Sequence, residues 1–166
     1  MPATIHVVFG PAGAGKSTYA KELARREPAV HFAIDDWMAR LFAADMPEPL
    51  EFAWMMERVE RCEAQIWSTG AGVIAAGTSV VLDLGLMRKA DRDRVAEIAQ
   101  AVELPIQFHF VTASEAVRRA RVLDRSEVRS GAFAMTVTPE VFDFIEGVYE
   151  EPDSEELARC VISESS

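Results

Sequence analysis

Apolar residues in this chain fall in short runs separated by amphipathic stretches. That is the pattern of strands buried on both faces alternating with helices. Residues 4–9, Thr-Ile-His-Val-Val-Phe, make a first apolar run that stops at Gly10. From Lys16 onward Ala20, Leu23 and Ala24 share one helical face, with Lys21, Glu22 and Arg25 on the other. Val30 to Ile34 predicts a second strand, cut off by Asp35-Asp36. A long helix is predicted from Glu48 to Trp67, where Phe52, Met55, Met56, Val59, Cys62 and Ile66 recur at helical spacing and Gly70 and Gly72 weaken the end. Residues 79–82 predict a strand ending at Asp83, 91–102 a helix, and 105–111 another strand. Thr112 and Glu115 are spaced as a capping box for the next helix. Thr138-Pro139 opens a later helix with Phe142, Ile145 and Tyr149 inward, and 157–163 predicts a last strand.

This order implies an α/β domain with a central parallel sheet covered on both faces. The 166 residues suit one domain, 1–166, and 49 % apolar with 27 % charged residues fits a packed core. No run approaches the length of a membrane helix, and the opening residues lack a basic leader region, so the expectation is a cytoplasmic protein. Cys62 and Cys160 have no metal-like spacing and read as free thiols. A net charge of −10 repels phosphate backbones and argues against nucleic acid as the main partner.

The most informative segment is Gly10-Pro11-Ala12-Gly13-Ala14-Gly15-Lys16-Ser17-Thr18, which satisfies the phosphate-loop pattern G-x-x-x-x-G-K-[ST]. An apolar strand feeds it and an amphipathic helix leaves it, as the pattern requires. Gly13 and Gly15 allow the backbone, with Ala12, Ala14 and Thr18, to curl its N–H groups toward one anion at a helix N-terminus. Lys16 supplies charge for the β- and γ-phosphates, and Ser17 a hydroxyl for Mg²⁺. The chain has no asparagine, so the Asn-Lys-x-Asp signature of guanine readers is absent and ATP is expected.

Ligands of an open α/β sheet sit beyond the carboxyl ends of its strands. Asp35, Asp36 and Asp83 are predicted there. Asp35 or Asp36 is placed to orient and deprotonate an acceptor hydroxyl. Asp83 looks like the carboxylate that holds Mg²⁺ through water. Arg118, Arg121, Arg125 and Arg129 lie on one helical stripe, with Arg119 off it. Two readings fit that stripe: a solvated face paired with Glu115, Asp124 and Glu127, or a lid over about 114–137 that closes on the migrating phosphoryl group and hinges at Ser130 to Met135. In the lid reading Arg121 and Arg125 reach phosphate.

These elements together resemble the P-loop kinases grouped around zeta toxins, chloramphenicol phosphotransferase and the kinase domain of phage polynucleotide kinase. The resemblance implies a nucleoside-monophosphate-kinase-like three-layer sandwich with an arginine-rich helical lid. It also implies that Asp35, in Ile34-Asp35-Asp36-Trp37, is the base, and that Arg121 and Arg125 are the lid pair R-x-x-x-R. The stretch Tyr149-Glu150-Glu151-Pro152 looks like the segment that passes the adenine. Leu84-Gly85-Leu86 and Met38 depart from the polynucleotide kinases, which have small polar residues and an arginine there.

The segment between the second and third strands is rich in aromatic residues and methionine, and Trp37 and Trp54 are the expected pocket residues. Asp45, Glu48 and Glu51 would tolerate an amine on the acceptor. The expected reaction joins MgATP and a small hydroxyl compound, antibiotic-like or a metabolite, in a monomer or homodimer. The alternative is a non-kinase ATP-binding regulatory module that acts on a protein partner. An open cleft beside Asp35 favours the kinase, and an apolar plug favours the module.

Overall fold

A computed structural model of the chain describes residues 2–127 and 137–166, without the side chains of Ser126 and Glu127. Arg129 and the expected hinge, Ser130 to Met135, lie outside the described residues, as does most of the lid's far end.

Five parallel strands form one sheet in the order β2-β3-β1-β4-β5. They are β1 (Ile5–Phe9), β2 (Ala29–Ala33), β3 (Ser79–Asp83), β4 (Ile106–Thr112) and β5 (Cys160–Glu164). Period-two alternation divides their side chains between two cores. On one face Val8, Val81 and Val111 pack with Ala20 and Leu23 of α1 (Lys16–Arg26). On the other, Ile5, Val7, Phe9, Val80, Leu82 and Phe110 meet α2 (Ile34–Phe42), α3 (Phe52–Ala75) and α4 (Lys89–Ala101). Helices α5 (Glu115–Glu127), α6 (Pro139–Val148) and α7 (Ser154–Ala158) complete the chain.

Several elements differ from the sequence expectation. Helix α2 begins at Ile34, so Asp35 and Asp36 occupy its first turn, where carboxylates suit the positive helix end, and Ala33 is the N-cap. Helix α3 runs past Gly70 and Gly72 to Ala75, because Cys62, Ile66, Gly70 and Ile74 form one buried face and burial outweighs the helix cost of glycine. Phe52, one of the helically spaced apolar residues, is exposed. The Thr112–Glu115 capping box does not form: Thr112 ends β4, and the hydroxyl of Ser114 accepts from Val117 N–H instead. Helix α7 was not expected, although Asp153 and Glu156 make a reciprocal capping box at its start.

Candidate active site

Strand β1 ends at Phe9, and the chain must turn sharply before α1 can start. At Gly10 an added Cβ would lie 1.9 Å from the carbonyl oxygen of Val111 on β4, so no side chain fits. Gly13 has φ +77°, and its Cβ would meet the carbonyl oxygen of Arg118 at 2.5 Å. These two close approaches seat the loop between the sheet end and α5.

Above the loop lies a cleft of about 500 Å³, lined by Gly10, Ala12, Gly13, Gly15, Lys16, Ser17 and Thr18 on one side. Ile34, Asp35, Asp83, Gly85, Met87, Arg125 and Ile145 make its other walls. Ala14 is buried behind the loop and does not line the cleft. Lys16 turns inward, where its ammonium donates to the carbonyl of Pro11 at 2.9 Å. Burial lowers its pKa, an effect opposed by the carboxylates of Asp83 and Asp35.

Asp83 ends β3 and is buried; its Oδ2 accepts from the Ser17 hydroxyl at 2.8 Å. Asp35 opens onto the cleft, yet the walls thin its hydration and raise its pKa, with Asp83 adding to the rise and Lys16 opposing it. The structure thus brings Lys16, Ser17, Asp35 and Asp83 together. Asp36 is exposed one residue round the helix and lines no part of the cleft.

Two other expected residues are placed differently. Trp37 packs on the core and against Phe32, 6.1 Å between ring centroids, because it follows the inward side of α2. Trp54 faces Phe42 and carries the guanidinium of Arg58 3.9 Å above its ring. Neither tryptophan lines the cleft; Ile34, Met87 and Ile145 supply its apolar wall. Ile145 read as core in the sequence, and nothing in the sequence marked Met87.

The arginines of α5 divide. Arg118 is buried and forms a bidentate pair with Glu146 of α6, one contact at 2.9 Å, while also donating to the carbonyls of Ala12 and Ala113. It is a clamp that fixes the phosphate loop to β4, α5 and α6. Arg119 pairs with Asp143. Arg121 donates to the carbonyl of Gly13 at 3.3 Å, to Ser165 Oγ at 2.8 Å and to the carbonyl of Ser166 at 2.8 Å. Only Arg125, one turn further on, lines the cleft. Four residues of spacing keep the pair on one face, but three acceptors claim the first of them.

Segment 149–152 is tied to α4. Glu150 N–H donates to the Met87 carbonyl at 2.8 Å, and the Glu150 carboxylate accepts from Lys89 N–H at 2.7 Å. Buried Arg92 donates to the Glu150 carbonyl and, at 2.6 and 3.2 Å, to Glu156. Sequence spacing does not show that Arg92 and Arg118 are buried and paired, because each partner lies far along the chain.

As for a metal, Ser17 and Asp83 offer a hydroxyl and a carboxylate oxygen, hard donors of the kind Mg²⁺ takes from a protein when substrate phosphates and water complete its shell. No group of three or more His, Cys, Asp and Glu side chains placed to hold a metal occurs among the described residues. No helix among them is long and apolar enough to cross a membrane.

A parallel sheet in this strand order, with a glycine-rich loop wrapped at the end of its central strand, is the α/β fold of the P-loop kinases. Within that class a family model described as an AAA domain, AAA_33, matches residues 5–152, and the chain belongs to that family. Three solved structures share the fold. A protein from Chloroflexus aurantiacus J-10-fl assigned as a kinase superposes with TM-score 0.76 at 16 % identity, over 99 % of this chain and 89 % of its own. The Mycobacterium tuberculosis APS kinase in complex with AMPPNP and APS gives 0.66 at 16 %, over 100 % and 91 %. A gluconokinase from Sinorhizobium meliloti 1021 gives 0.57 at 21 %, over 98 % and 82 %. No curated protein matches the sequence.

Proposed function

We propose that this chain is an ATP-dependent small-molecule kinase that moves the γ-phosphoryl group of MgATP onto a hydroxyl of its acceptor. The observation that carries the reading is the open cleft in which Asp35 stands across from the phosphate loop, with Lys16 turned inward. An apolar plug in that place would have favoured a regulatory module.

In this reading the loop amides and Lys16 hold the β- and γ-phosphates. Mg²⁺ would be held by Ser17 and, through water, Asp83, and would supply positive charge to offset that of the phosphates. Asp35 accepts the proton of the acceptor hydroxyl as its oxygen bonds to the γ-phosphorus. The bond from that phosphorus to the β,γ-bridging oxygen breaks, and ADP leaves. A carboxylate whose pKa lies above the ordinary aspartate value is the better proton acceptor. Arg125 supplies positive charge from the lid side, while Arg121 and Arg118 shape the loop. The acceptor rests against Ile34, Met87 and Ile145. The resemblance to the zeta-toxin and chloramphenicol phosphotransferase group supports the roles of Asp35 and, of the R-x-x-x-R pair, Arg125.

The test is a panel of hydroxylated metabolites and antibiotics incubated with protein and MgATP. Acceptor-dependent ADP release, with a phosphate ester found by mass spectrometry, is expected for at least one class. ADP release independent of every acceptor, with no ester formed, would overturn the reading. Lys16→Ala is expected to abolish stabilisation by ATP in a thermal melt.

A further inference from the structure

Oxygen Oδ2 of Asp83 has a second neighbour besides Ser17. Nε2 of His31 lies 3.8 Å from it. Ala33 pairs with Asp83 in the β2–β3 register, and His31 stands two residues earlier, so both side chains rise diagonally from the face that α1 covers. The Nε2 atom is buried and has no hydrogen-bond partner. A buried ring nitrogen left without a partner is unfavourable, and such groups in folded proteins call for an explanation. The separation is too long for a hydrogen bond and leaves no room in line for a water. A shift of under about 1 Å would bring the two atoms within hydrogen-bond distance.

We propose that His31 is a positioning residue. Its Nε2–H donates to Asp83 Oδ2 when the Ser17–Asp83 pair takes up a divalent cation, and this fixes the carboxylate's direction. The inference rests on the reading of Ser17 and Asp83 given above. Mg²⁺ demands near-octahedral geometry, so a carboxylate free to swing binds it less well. Ser17 restrains Asp83 from the α1 side only, and His31 would restrain it from β2. Groups that orient metal-binding side chains in this way typically change metal affinity by about 10–100-fold when removed.

The test is binding of a fluorescent ATP analogue, first in EDTA and then across a Mg²⁺ titration. His31→Phe keeps the ring volume and removes the donor; the Mg²⁺ midpoint is expected to rise about tenfold or more while metal-free binding stays unchanged. His31→Gln places an amide N–H near the Nε2 position and is expected to restore the midpoint, whereas His31→Asn is too short and is not. If His31→Phe does not fold, the Gln–Asn contrast decides. A wild-type midpoint in the Phe variant, equal midpoints in Gln and Asn, or parallel loss of metal-free binding would each overturn the inference alone. Wild-type protein that binds no nucleotide in either condition would overturn the kinase reading and this inference with it.

Discussion

Ser17, in the first turn of α1, donates its hydroxyl hydrogen to Asp83 at the end of β3, 2.8 Å away and 66 positions further along the chain. Donating that hydrogen leaves the lone pairs of the Ser17 oxygen free, Ser17 lines the cleft, and a buried carboxylate stands beside it. Ser17→Ala and Asp83→Asn are therefore expected to weaken Mg²⁺-dependent ATP binding by about tenfold or more. Binding in EDTA should change far less. Calorimetric titration of ATP at fixed low and high Mg²⁺ separates the two. An unchanged Mg²⁺ dependence in both variants would move the cation elsewhere.

Asp35 combines exposure to the cleft with a raised pKa, and this gives two readouts. As proton acceptor, its replacement in Asp35→Asn should lower kcat by about 10²–10⁴-fold with ATP affinity retained. A loss of only about tenfold, or ~1.4 kcal/mol, would transfer the role to Asp83. The second readout needs no acceptor. Burial and Asp83 raise the folded-state pKa above the unfolded value, so the native state binds the proton more tightly. Stability is then greatest below the unfolded pKa and declines as pH rises through the folded one. Asp35→Asn should therefore melt higher than wild type at neutral pH, and the gap should close in acid. A lower melting temperature at pH 7 would mean that Lys16 outweighs burial at this site.

How much of this was legible beforehand depends on how local each signal was. The strands, the loop at residues 10–18 and Asp83 at a strand end are written in consecutive residues, and the structure places them as the pattern implied. Boundaries moved where tertiary burial overrode local preference, as at Gly70 and Gly72 in α3. The cleft wall is not legible in the sequence because aromatic content is not position: Trp37 and Trp54 are spent on packing, and Met87 and Ile145 converge from segments 58 residues apart. Arg118 reads as one member of a helical stripe, and only the pairing with Glu146, 28 positions away, shows it as a clamp. His31 carried no motif at all; its interest comes from strand register.

Buried Arg92 and Glu156 illustrate the same nonlocality in stability. Their side chains are 2 % and 8 % exposed, and they meet at 2.6 Å through Nε and 3.2 Å through Nη2. The guanidinium also lies 5.0 Å from the Phe9 ring centre, at the top of β1. Removing one partner leaves a buried charge uncompensated, which costs about 3–5 kcal/mol. Glu156→Ala should lower the urea midpoint accordingly. It should also loosen the 149–152 segment, read as faster amide exchange at Glu150. A change below about 1 kcal/mol would show that water reaches Arg92 once the carboxylate is gone.

The histidines of the sheet predict an acid limit to stability. Tyr19 hydroxyl and His109 Nδ1 are 2.9 Å apart, and His109 Nε2 and His6 Nδ1 are 3.1 Å apart, under α1. His109 is buried, and burial with the nearby His6 lowers its pKa from 6.5 to about 4. The unfolded chain therefore takes up this proton first. Stability should rise with pH between about 4 and 6.5 and level off above. A fall of this size, at 1.36 kcal/mol per unit, amounts to roughly 3 kcal/mol across the window. His109→Gln keeps a polar side chain but cannot titrate, so the variant should be less stable than wild type at pH 7 and show a shallower slope in acid. Urea melts at half-unit intervals from pH 4 to 7 measure both. An unchanged slope in the variant would place the acid sensitivity at His6 or among the carboxylates rather than at His109.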